Sequence, residues 1–192
     1  MTRNSDPDGR IALQFVPPEI SGKNAINVTC VDVTCYEPDP FTIEVRVDDI
    51  SPIPTPNLFF TLVELSGAQQ GKNIGDNTRH DGVNHNLKAG SSEVLSRVAF
   101  EYAASLFYYP VPEKLHINDA SLPSGGLFDI SGQWTAPHKA HRRGTNVDIR
   151  ANQAPGAIPE IFYTQFELAA VYAGAFATFE SDHYHLRLGG GQ

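Results

Sequence analysis

An α+β fold is predicted for this 192-residue chain: a mostly antiparallel sheet with flanking helices, preceded by a β-rich segment. Three observations predict it. From Ile11 to Leu65, short apolar or alternating runs are separated by Pro- and Asp-rich connectors, the pattern of strands and turns. From Ser91 to Phe107 the apolar period becomes helical. The C-terminal part returns to strand-like stretches and carries clustered His and Asp residues. This length suits one domain or a small domain plus a module. The expected division is a β-rich region over 1–65, part of an Ig-like module, followed by a second domain over 66–192.

The elements follow in order. Residues 1–10 are polar and expected to be irregular. Ile11–Val16, Ala25–Val33, Phe41–Val47 and Leu58–Leu65 read as strands; Phe41–Val47 alternates with its apolar residues at odd positions. Ser66–Gly90 is rich in Gly, Asn and His and reads as a long surface loop holding His80 and His85. Ser91 or Ser92 offers an N-cap. The helix that follows places Val94, Leu95, Val98, Ala99, Tyr102, Ala103 and Leu106 on one stripe. Leu115–Ile117 is a short strand, with His116 read as structural. Pro159, in a first-turn position, opens a helix to about Tyr172. One last strand is expected from about Phe176 to Leu188, and Tyr184 on it is expected to pack.

The bulk numbers exclude several classes. Hydrophobic residues make up 41% of the chain and charged residues 19%, enough apolar content for a real core. The formal net charge is −8, and Arg142-Arg143 is the densest cationic run, which argues against nucleic acid and anionic membrane surfaces as partners. The longest apolar run, Leu168–Phe179, is too short to span a bilayer. The first six residues contain no apolar signal core, so the chain is expected to be either intracellular or the mature or excised part of a longer exported protein. Cys30 and Cys35 are too close to bridge on one continuous strand, where they face opposite sides. They are either bridged across a turn or two separate thiols, and neither has the partners of a cysteine-type structural zinc.

The residues that carry chemistry lie in two runs. In His141-Arg142-Arg143-Gly144-Thr145-Asn146-Val147-Asp148, a histidine is followed seven residues later by an aspartate. In Asp182-His183-Tyr184-His185, two histidines stand two apart and so share one face of a strand. Two imidazoles and one carboxylate form a usual donor set for a catalytic Zn²⁺ with an open fourth position. His141 and Asp148, an odd number apart, suit the end of one strand and the start of the next, joined by a turn at Gly144. His138 is read as either a second-layer donor or solvent-exposed. Arg142 and Arg143 either face solvent or hold an oxyanion or a substrate carboxylate.

The motif His141-x-x-Gly144-x-x-x-Asp148, followed by Asp182-His183-x-His185, resembles the zinc peptidases that join D-Ala-D-Ala metallopeptidases, lysostaphin-type endopeptidases and the hedgehog fold. Pro137-His138-Lys139-Ala140-His141 is similar to the D,D-peptidase and penicillin-insensitive murein endopeptidase branch. The resemblance covers roughly residues 75–192. It implies His141, Asp148 and His185 as zinc ligands. Asp182 stands where some members carry a catalytic carboxylate, and His183 where others carry a catalytic histidine. Lys139 replaces the Ser found there in several D,D-peptidases. The implied activity is zinc-dependent hydrolysis of peptide bonds in peptidoglycan stem peptides or cross-links, in the periplasm or outside the cell. The rival expectation is a non-catalytic zinc-containing binding module of a cell-surface protein.

Overall fold

A computed structural model describes residues 4, 6–16, 21–29, 39–63, 84–109, 114–126, 140–152 and 156–189. The expectations for Cys30 and Cys35, for His80 and for His138 and Lys139 lie outside these residues. The described elements run β1 (Gly22–Ile26), β2 (Phe41–Val45), β3 (Ile50–Pro52), β4 (Phe60–Leu62), β5 (Asn86–Lys88), α1 (Ala89–Ser105), β6 (Leu115–Ile117), β7 (Asn146–Arg150), α2 (Tyr163–Tyr172), β8 (Ala175–Glu180) and β9 (His183–Leu188). The fold is α+β, and its sheets are mostly antiparallel.

The central sheet has the order β4-β6-β7-β9-β8. Only β4 and β6 pair in parallel; β6–β7, β7–β9 and β8–β9 are antiparallel. Period-two alternation divides the sheet into two chemically different faces. On one face Ile117, Val147, Ile149, Tyr184, Leu186 and Leu188 are buried in the core. There they join Val94, Leu95, Val98 and Tyr102 of α1 and Phe166, Ala169 and Ala170 of α2. Aromatic edges lock this layer: the Tyr102 and Phe166 rings meet at 5.8 Å, and the Tyr163 and Tyr184 rings at 5.3 Å. The Tyr184 hydroxyl donates to Glu167 Oε1 at 2.9 Å, which satisfies its polar end. The other face presents Asn146, Asp148 and Arg150 beside His183, His185 and Arg187.

Several expectations are corrected. The last strand is a hairpin, β8–β9, turned at Ser181 and Asp182, with Ser181 at φ 49°. The register makes Glu180 the partner of His183 and Thr178 the partner of His185. The first helix starts at Ala89, and neither Ser91 nor Ser92 caps it; Lys88 occupies the N-cap without a side-chain bond. The reason is that β5 feeds directly into the helix, which places Ser91 in the buried interior. Pro159 does precede a helical segment, first a 3₁₀ turn over Glu160–Phe162 and then α2. Ile11–Val16 forms no strand.

Residues before position 65 also share sheets with those after it. β3 pairs with β5, β4 pairs with β6, and Ile53 and Phe60 are buried in the core. Only β1 and β2 form a separate hairpin, antiparallel with Gly22 opposite Val45. Among the described residues, no helix is long and apolar enough to cross a membrane.

Candidate metal centre

His141 is set by a tight local turn. The residues His141–Arg143 form a single 3₁₀ turn that ends at Gly144 in the left-handed region, φ 67°. The turn closes when the Gly144 N–H donates to the His141 carbonyl at 3.1 Å. A side chain at Gly144 would be strained at this φ, and its Cβ would lie 3.0 Å from Ile50 Cδ1 and from the Lys88 amide nitrogen. The Lys88 N–H donates to the Gly144 carbonyl at 2.9 Å, tying the turn to the start of α1. Asn146 Nδ2 reaches back to the Ala140 carbonyl at 3.0 Å. The expected turn at Gly144 is therefore present, but His141 stands on a helical turn instead of a strand end, and Asp148 lies inside β7 instead of at its start.

Asp148 is held from both sides. Its N–H donates to the Asp119 carbonyl at 2.7 Å, and its carbonyl accepts from the Asn118 N–H at 2.8 Å. Across β7–β9 its register partner is His185. His185 Nδ1 lies 3.0 Å from Asp148 Oδ1, and His141 Nε2 lies 3.2 Å from Asp148 Oδ2. The two imidazoles meet edge to face at 5.2 Å. One ligand atom from each of His141, Asp148 and His185 lies within 4.8 Å of the others. Two of the three are almost fully buried, His141 at 2% exposure and Asp148 at 4%.

The electrostatics follow from that burial. Burial alone would raise the Asp148 carboxyl, but the His141 imidazole, with His185 and His183 around it, holds it well below the usual carboxylate range. Burial alone would lower His141; the Asp148 carboxylate beside it, helped by Asp119, raises it above its ordinary 6.5. The His141 ring is also oriented. Its Nδ1 faces the Asn146 carbonyl at 3.3 Å, and since a carbonyl only accepts, Nδ1 carries the proton and Nε2 points at the cluster. Metal-bound histidines commonly pass their second N–H to a carbonyl in this way. This group could hold a metal ion.

His183 shares the face of His185, as its spacing requires, but stands one register step away opposite Arg150. Its Nδ1 is 2.7 Å from Asp182 Oδ1. Its Nε2 is 3.7 Å from Asp148 Oδ2 and 3.7 Å from Glu180 Oε2. Asp182 itself is exposed and touches His183, and no contact joins it directly to His141, Asp148 or His185.

The geometry adds residues that sequence reasoning missed. Glu180, three before His183, is brought to it by the β8–β9 hairpin. Arg150, two after Asp148, has a detectable spacing on the same face; its Nε donates to Asn118 Oδ1 at 3.1 Å, and burial lowers its pKa. Asp119, buried and accepting from Asn84 Nδ2, has no periodic signal. His85, expected on a loop, is 2% exposed because its backbone carbonyl accepts from Ile53 and its Nε2 faces the Asn118 carbonyl at 2.9 Å. His116 stays in the sheet, packed so closely under Gly156 that a Cβ there would fall within 2.0 Å of its ring. No protein-family model matches the chain, and no curated protein is similar to it.

Proposed function

We propose that this chain is a zinc-dependent peptidase, with His141, Asp148 and His185 as the metal ligands. The observation that carries the reading is the buried His–Asp–His group with His183 beside it. The donors fit zinc. Tetrahedral N and O ligands at about 2.0–2.2 Å stand roughly 3.3 Å apart, and His141 Nε2 and Asp148 Oδ2 are 3.2 Å apart. When bound, the ion supplies Lewis acidity toward water and a substrate carbonyl.

The remaining chemistry belongs to the chain. His183 gives its Nδ1 proton to the Asp182 carboxylate, so Nε2 is the basic nitrogen on the side of Asp148. It is placed to take a proton from an attacking water and return it to the leaving amine. Asp182 orients this ring and stabilises its charged form, the role a carboxylate plays behind a catalytic histidine. The peptidoglycan substrate class and an extracytoplasmic location rest on the motif resemblance.

The test is zinc-loaded and chelator-treated protein incubated with purified muropeptides, with new amino groups measured. Zinc-dependent release supports the peptidase. Stoichiometric zinc without hydrolysis of muropeptides or a general peptide panel supports the non-catalytic zinc-binding module instead.

A further inference from the structure

A cavity of about 340 Å³ lies where the N-terminal hairpin meets the turn that follows His141. Arg46, just past β2, and Arg142 and Arg143 line it together with Ser21, Val47 and Gly126. Three guanidinium groups from distant parts of the sequence converge here, in a chain whose net charge is −8. Like charges brought together repel, so the arrangement is most favourable with an anion between them. The cations present are not consumed by strong internal pairs. Arg46 meets Asp48 at 3.4 Å, but both side chains are well exposed, and such pairs are weak. Arg143 makes no ion pair among the described residues.

The walls are fixed by backbone bonds. The Val47 N–H donates to the Ser124 carbonyl at 2.9 Å, and the Gly126 N–H donates to the Arg142 carbonyl at 2.8 Å. Ser21 Oγ donates to the Gly125 carbonyl. Gly125 sits at φ +66°, and a Cβ there would come within 2.7 Å of the Arg142 carbonyl and of Val47 Cγ2. The close approach of the two segments that carry the arginines therefore requires glycine.

The geometry points to an oxyanion-binding pocket in which Arg46 and Arg143 grip a carboxylate or phosphate group. A guanidinium presents paired N–H donors that match two oxygens of such a group. The volume suits a small ligand or one side chain of a larger one. The overall negative charge acts weakly at this site, because fields beyond about 10 Å are screened at 0.1 M salt. The pocket stands apart from the hydrolytic reading and does not depend on it.

Isothermal titration at low salt, in a buffer free of phosphate, tests the pocket. The probes are a short peptide with a central Glu, the same peptide with Gln, and inorganic phosphate. The proteins are the parent and the Arg46→Gln/Arg143→Gln variant, with circular dichroism and metal content confirming an intact fold. Arg143→Gln alone replaces the double variant if that one misfolds. The expected result is at least tenfold tighter binding of the Glu peptide than the Gln peptide, reduced at least tenfold in the variant. Phosphate binding with the same arginine dependence, and no Glu-over-Gln preference, supports the pocket and makes free phosphate the source of the anion. Absence of binding to any probe, or affinities unchanged in the variant, overturns it.

Discussion

Asp148 and His185 are direct cross-strand partners in β7 and β9, and this pairing places the His185 imidazole nitrogen 3.0 Å from the Asp148 carboxylate. Sheet register, more than loop geometry, thus brings together two candidate ligands 37 residues apart. A slip of one residue would turn His185 into the core and Tyr184 out of it. The buried ring of Tyr184, packed on Phe166 at 4.9 Å, opposes that slip.

His185→Ala removes one donor without disturbing the core face of β9. The expected outcome is a folded protein that no longer retains stoichiometric zinc after purification without chelators. Asp148→Asn is expected to lose zinc as well, because it removes the carboxylate charge that His141, His185 and His183 surround. Metal analysis alongside circular dichroism checks both; full zinc occupancy in either variant would refute the ligand assignment.

His183→Ala is expected to keep zinc and lose turnover by roughly 10²–10⁴, the usual span for lost acid–base catalysis. Asp182→Asn is expected to cost less, about 10–100-fold, as for a residue that orients another. The ordering is the point: Asp182 touches His183 Nδ1 and lies outside the ligand cluster. If Asp182→Asn loses as much as His183→Ala while keeping its zinc, the carboxylate itself carries the proton.

Phe60→Ala should destabilise the protein by about 3–5 kcal/mol, the range for removing a buried aromatic side chain. Phe60 is 1% exposed on β4, the edge strand that pairs with β6. A chain starting at Ser66 would lose this strand, Ile53 and β3 together, so it is expected not to fold. Urea unfolding followed by circular dichroism checks both; a cooperative, stable 66–192 fragment would show that the N-terminal strands are dispensable.

Much of this was legible in the sequence, and the exceptions have physical causes. The helical stripe from Val94 to Leu106 survives in α1 because a period of 3.6 buries one face whatever the helix packs against. The same-face placement of His183 and His185 follows from the period of two. The β8–β9 turn was missed because Ser181 and Asp182 interrupt a run that otherwise stays compatible with a strand, and its register decides that Glu180 meets His183. Asp119 and Asn118 were illegible because their roles come from a backbone exchange with Asp148. Pairing of β4 beside β6, parallel and distant in sequence, leaves no local signal either. His85 looked like loop decoration because its burial depends on Ile53 and Asn118, both remote in sequence.

Zinc affinity is expected to fall with acidification, starting above pH 6.5. His141 can ligate only when Nε2 is unprotonated, and Asp148 raises its pKa above the ordinary 6.5. As pH drops through that raised value, a proton must be displaced for each ion bound, which weakens apparent affinity about tenfold per pH unit. Asp148 adds no dependence there, since its lowered pKa keeps it ionised. The metal-free protein behaves oppositely. A histidine whose folded pKa is raised contributes stability fully below 6.5 and loses it as pH rises through the folded value. The lowered Asp148 contributes above its ordinary 3.8 and loses that contribution as pH falls through its folded value. Between about pH 4 and 6.5 the pair therefore stabilises the metal-free chain most while zinc binds it least well. Competition with a zinc indicator and thermal unfolding of the chelated protein, both over pH 5–8.5 at constant ionic strength, measure the two trends. Flat zinc affinity across that range would mean that His141 does not give up a proton on binding, and so is not a ligand.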